Sequence, residues 1–179
     1  MKFKVHVVGG AMAGLLTVTI AQVSGYTSAN YQHLIDFFND PQVTRGDVPV
    51  LIGLFVITVF MSLFPDLDSA SILQRWFYRF ALLILVILFL VGQMGLFAAV
   101  SFIILLPLLH KHRGWTHSKI TPVLLALFFA AVLELHRSSH AWFGGFSIEN
   151  VGAILKEYWI YVVACVLGHY THLLLDWKL

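Results

Sequence analysis

Five stretches of the chain are apolar for longer than a soluble core helix needs, and the charged residues stand almost entirely between them. A helix crossing the hydrocarbon core of a bilayer needs about 17–25 mostly apolar residues. Val5–Val23 and Val48–Phe64 meet that length. Ile120–Leu135 falls slightly short, and Val151–Leu175 exceeds it, with Lys156 and Glu157 near its start. Phe80–Leu109 carries no formal charge and is too long for one crossing. The paired glycines of Val91-Gly92-Gln93-Met94-Gly95 suit a tight helical turn, which divides the run into about Arg75–Val91 and Gly95–His110. The pattern therefore predicts six crossings, or five if this run stays whole. Lys2 and Lys4 ahead of the first run match the start of a signal peptide, but no small-x-small cleavage site follows, so the run counts as a span.

The long connection Ser24–Asp47 has a pattern of its own. Tyr31, Leu34, Ile35 and Phe38 recur at helical spacing, with Asn30 as a cap and Pro41 as a stop. This predicts a short interfacial helix lying on the outer membrane surface.

Six crossings make the charge distribution informative. The side holding Met1 collects Lys2, Lys4, Arg75, Arg79, Lys111, Arg113, Lys119 and Lys178; the other side holds only Arg45, Arg137 and Lys156. Lys and Arg concentrate in short cytoplasmic loops. The asymmetry predicts a multi-pass protein of the inner (cytoplasmic) membrane with both termini in the cytoplasm.

Composition narrows the class. Hydrophobic residues are 59% of the 179 and charged residues 11%, with a mean hydropathy of +0.85. A soluble domain carries about 25% charged residues, and disorder needs low hydrophobicity. A net charge of +2 gives no field suited to nucleic acid. Cys165 is the single cysteine, so an internal disulfide and a CxxC metal site are both excluded; it reads as a buried packing residue. The expected fold is all-α: a polytopic membrane bundle of about six transmembrane helices forming one domain over residues 1–179. Gly10-x3-Gly14 is a small-residue step of the kind that lets helices pack closely.

Ionisable residues in or near a bilayer are costly and mark function by default. Here they gather at the cytoplasmic ends of the predicted helices. His6 opens the first span. Pro65-Asp66-Leu67-Asp68 closes the second, with two carboxylates two residues apart. His112-Arg113-Gly114-Trp115-Thr116-His117-Ser118 leads into the fifth, and His169, His172 and Asp176 end the sixth. At about 100° per residue, 169 and 172 differ by roughly 60° and 172 and 176 by roughly 40°, so all three share one helical face. Imidazole with carboxylate suits Zn²⁺, Mn²⁺ or Fe²⁺. Six crossings bring all four groups to one side of the membrane, and a shared cation site follows as the expectation.

Taken singly, the same residues have blander readings. Asp66 and Asp68 can cap a helix, Lys111 and Arg113 can set topology, and His6 can sit at the interface. His136-x3-His140 has ligand spacing but lies beside Arg137 and two serines, as in a solvated loop.

The PDLDS, HRGWTHS and Gly168-x3-His172-x3-Asp176 motifs together resemble the YdjM-like family. These are inner-membrane, metal-dependent hydrolases by prediction, some described as LexA-regulated. His6 followed by Gly9 and Gly10 is similar too. The resemblance implies metal ligation by His6, Asp66 or Asp68, His112, His117, His172 and Asp176. Arg113 is a further site residue, and His169 departs from the pattern as an extra ligand or a residue behind one. The family is distantly similar to zinc-dependent phospholipase C and P1-type nucleases, which implies a divalent metal, zinc first, as two ions. The expected activity is phosphoester hydrolysis by a metal-activated water on a lipid head group or isoprenoid phosphate, at the cytoplasmic face. Asp66 or Asp68 would orient the water and Arg113 would stabilise developing charge, with Thr116 at a helix start that favours an anion. The expected partners are the lipid bilayer and a phosphorylated lipid, with no nucleic acid. Two other classes remain open: a structural or regulatory membrane subunit stabilised by metal, and an ion transporter. The transporter would need polar residues across the midplane, and the spans offer little beyond Gln93, which falls in the turn.

Overall fold

The computed structural model describes residues 2–27, 48–68, 72–106, 114–138 and 145–176. The expected interfacial helix over Tyr31–Phe38 lies outside them, as do His112, Arg113 and His140. Among the described residues there is no strand; the chain is helical, as its apolar periodicity requires. It falls into two compact units, residues 1–63 with 158–179 and residues 64–157.

The first unit is a three-helix bundle of α1 (Lys2–Val23), α2 (Val48–Leu63) and α7 (Trp159–Leu175), each packed against the other two. Ala21, Leu51, Leu54, Ile160 and Ala164 form its apolar centre. Small residues set the closeness of approach. A Cβ on Gly10 would run into the Ser62 side chain of α2, and one on Gly14 into the Phe55 ring. A Cβ on Gly168 would strike the Thr58 carbonyl oxygen and Met61. The small-residue step read from the sequence is therefore a contact face for α2. Between the helices, the buried hydroxyl oxygens of Thr17 and Thr58 lie 3.2 Å apart; Thr17 donates to the Ala13 carbonyl, and Thr58 shares its proton between the Leu54 carbonyl and Thr17. The outer face of α1 shows Val5, Val8, Met12, Leu15 and Leu16 as exposed apolar side chains, as a bilayer demands.

The second unit holds a 3₁₀ turn (Phe64–Asp68), α3 (Ile72–Leu90), α4 (Met94–Leu105), a 3₁₀ turn (Trp115–His117), α5 (Thr121–Arg137) and α6 (Ile148–Glu157). The predicted hairpin is present, and its stop is chemical. Gly92 has φ +76°, a left-handed conformation natural to glycine. Gly92 N–H donates to the Phe89 carbonyl at 3.1 Å and Gln93 N–H to the Leu88 carbonyl at 2.9 Å. This is the paired bonding of a Schellman stop.

One expected crossing is corrected, the last. Only Lys4–Val23 and Val48–Asp68 are long and apolar enough among the described residues to cross alone. The 12 residues of α4 rise about 18 Å, against a core of about 30 Å. In α3 the uninterrupted apolar stretch begins only after Arg79. The last expected span, Val151–Leu175, is not continuous: it is interrupted at Tyr158, and it counts as a third crossing only as a broken helix. The reason lies in composition. α6 is amphipathic, burying Val151 and Ile154 and carrying Glu149, Asn150, Lys156 and Glu157, whereas α7 is uncharged from Trp159 through Leu167.

Candidate metal centre

Within the first unit, the start of α1 and the end of α7 bring three donors together. His6 and His172 are 2% and 0% exposed, and one nitrogen of each ring lies within 4.8 Å of the other and of an Asp176 carboxylate oxygen. The two rings stack with centroids 4.2 Å apart, and His6 Nε2 stands 3.4 Å from Asp176 Oδ1. Two donors about 2.1 Å from one ion in tetrahedral geometry are roughly 3.4 Å apart, so this spacing fits a shared cation.

The α2 helix end orients the third donor. His172 Nδ1 lies 2.8 Å from the Ser62 carbonyl oxygen. A carbonyl only accepts, so Nδ1 carries the proton and donates, which leaves Nε2 with the ligand lone pair. A ligand histidine held through its other nitrogen is the usual outer support of a metal site. Pro65 helps explain why this carbonyl has capacity to spare. A 3₁₀ turn would bond the Ser62 carbonyl to the N–H three residues on, and proline has none. The Ser62 hydroxyl meanwhile shares its one proton between the Val59 carbonyl at 2.8 Å and the His6 carbonyl at 3.2 Å, which places α1 against α2 beside the ligand.

The second unit builds its own polar cluster. Thr116 Oγ1 donates to Asp68 Oδ2 at 2.7 Å, and His117 Nδ1 stands 3.5 Å from the same oxygen. The Asp68 and His117 side chains are 1% and 6% exposed. The Trp115–His117 turn that presents them is braced from both sides. The Trp115 indole N–H donates to the Leu106 carbonyl at 3.3 Å, and the Thr121 hydroxyl donates to the Trp115 carbonyl. Phe64 packs edge-on against the Trp115 ring, centroids 5.9 Å apart, which seats one motif on the other. Thr116→Val is expected to destabilise the protein by about 1–3 kcal/mol, since it leaves a buried carboxylate short of a donor. Thermal unfolding in detergent checks this, with Thr116→Ser expected to remain near wild type.

Each unit gathers some of the predicted residues. His6, His172 and Asp176 meet in one unit; Asp68, Thr116 and His117 meet in the other. Asp66 stands in the same turn as Asp68, partly buried. His169 is fully buried on α7 but is not one of the three clustered donors. His112 and Arg113 lie outside the described residues. Ser62 is the residue that sequence reasoning missed. Its signal was available: a serine three residues ahead of the proline that ends a helix.

A protein-family model described as YdjM inner membrane protein matches residues 1–178. Neither the curated proteins nor the solved structures include a match.

Proposed function

Because the chain belongs to the YdjM inner membrane protein family, we propose that it is a membrane-embedded, metal-dependent hydrolase acting on a phosphoester at the membrane surface. The observation that carries this reading is the enclosed His6, His172 and Asp176 donor set, with His172 held in the ligating tautomer by a backbone carbonyl. His₂-carboxylate sets serve hydrolytic zinc. A bound divalent cation supplies an activated water and neutralises phosphate oxygens.

The protein's own groups do the rest. Ser62 fixes the proton on His172 Nδ1. Asp176 Oδ1 and His6 Nε2, 3.4 Å apart, would share the cation. Asp68 and His117 are the candidate donors for the second ion that the resemblance implies, with Thr116 holding the carboxylate in place. Arg113 is the proposed partner of the phosphate charge. A lipid head group or isoprenoid phosphate is the proposed substrate, because the family is one of inner membrane proteins. Multi-pass topology with cytoplasmic termini, from the Lys and Arg asymmetry, belongs to the same reading.

A second reading has a specific observation behind it. His6 and His172 are almost wholly enclosed, as the ligands of structural zinc sites are. A metal that only holds the helix ends together would make the protein a structural or regulatory subunit. The test is phosphate release from phosphorylated lipids by the purified protein in detergent, before and after chelation. Activity that disappears with the metal and returns with Zn²⁺ or Mn²⁺, at unchanged thermal stability, is the expected result. Metal loss that lowers the unfolding temperature, with no phosphate release in any state, would establish the structural reading instead.

A further inference from the structure

The second unit contains an open cavity of about 450 Å³ that none of the sequence motifs touches. Glu134, Arg137 and Ser138 at the end of α5 line it, with Asn150, Ala153 and Glu157 from α6. Glu134 is its anomaly. This carboxylate is 4% exposed, and burying one is costly unless it is paired and fully hydrogen-bonded. Its Oε1 accepts from the Asn150 amide at 2.8 Å and from the Ser147 N–H at 3.4 Å. Among the described residues, nothing donates to Oε2 and no cation pairs with the group. The nearby guanidinium of Arg137 stands 3.6 Å from Glu157 instead. Among the described lining residues, two carboxylates and one guanidinium leave an excess negative charge, and the hydrogen bonds to the most buried carboxylate go to Oε1.

The position of the cavity narrows the ligand. α5 is uncharged from Thr121 to Leu133, and Glu134 is its first charge. Leu127, Phe129 and Leu135 are exposed on α5, and Ile148 is exposed at the start of α6. In a membrane protein, the level at which an apolar helix turns polar is the level of the lipid head groups. We propose that this cavity binds the primary ammonium of an aminophospholipid head group, with Glu134 Oε2 accepting its N–H. A trimethylammonium has no N–H and cannot complete that bond. Arg137 supplies a cation for the adjoining phosphate. Its pairing with Glu157 is about half exposed on both sides.

The test is thermal unfolding of the detergent-purified full chain with short-chain phosphatidylethanolamine, against phosphatidylcholine of the same acyl length. A ligand that binds only the folded state raises its unfolding temperature. The ethanolamine lipid is expected to give a shift at least roughly threefold larger than the choline lipid. Glu134→Gln keeps an acceptor for Asn150 and should abolish the difference. Ala153→Leu fills the cavity without touching the carboxylate and should abolish it too, so the proposal stays testable if the first variant folds poorly. Equal shifts from both lipids, or a preference that survives Ala153→Leu, would overturn the site. Free ethanolamine producing the full shift alone would overturn the lipid assignment and make the ligand a soluble amine.

Discussion

Purified protein carrying Asp176→Asn or His172→Ala is expected to lose its bound divalent metal, while His136→Ala retains it. The three donors act as one set, with ligand atoms within 4.8 Å of one another, so each removal takes away a third of the protein ligands. Asp176→Asn is the sharper variant. It keeps the size of the side chain and removes the charge that faces His6 Nε2 at 3.4 Å. His172→Ala additionally frees the Ser62 carbonyl, and should cost about 1–3 kcal/mol of stability besides the metal. Elemental analysis beside thermal unfolding separates the two losses. On the proposed function, phosphoester hydrolysis falls by about 10²-fold or more in both. Metal content equal to wild type in the Asp176→Asn protein would remove the basis for the centre.

Gly168→Ala should destabilise the bundle by about 1–3 kcal/mol, the usual effect of overpacking. The obstacle is the Thr58 carbonyl oxygen, which is backbone, so the new methyl can be relieved only by moving α2 away from α7. That movement would also disturb the hydrogen bond between His172 and Ser62, which depends on the same pair of helices. Gly10→Ala meets the Ser62 side chain and Val59, and should act in the same direction. Gly152→Ala is the control. A Cβ there meets nothing within 4 Å, and alanine favours the helix. Unfolding temperature and metal content should fall together for Gly168→Ala and Gly10→Ala. Unchanged values for Gly168→Ala would mean that the close approach of α2 and α7 does not position the ligands.

Much of this was legible along the chain because the governing physics is local. Backbone groups inside a bilayer must bond within their own segment, so long apolar runs became helices. Gly92 marked the hairpin because a left-handed stop is cheapest at glycine. His172 and Asp176 could be placed on one face by helical rotation alone. The break at Tyr158 was missed for a related reason. Averaged over Val151–Leu175 the run is apolar, and only the arrangement of Glu149, Asn150, Lys156 and Glu157 around α6 separates a surface helix from a buried one.

What no periodicity could supply was the pairing of distant segments. The residues alone left His6 as interfacial or as a ligand, and Asp68 as a cap or as part of a site. The fold joins His6 to Asp176 across α1 and α7, and Asp68 to Thr116 and His117 through two short turns. The first pairing depends on how far each helix slides along its neighbour. That register is set where side chains are absent, at Gly10 against Ser62 and at Gly168 against Thr58. The chain's pattern therefore determined a helical membrane protein and the donor types it carries. Only packing decided which donors share a site, because contacts between helices depend on shape at a few positions and leave no repeat to read.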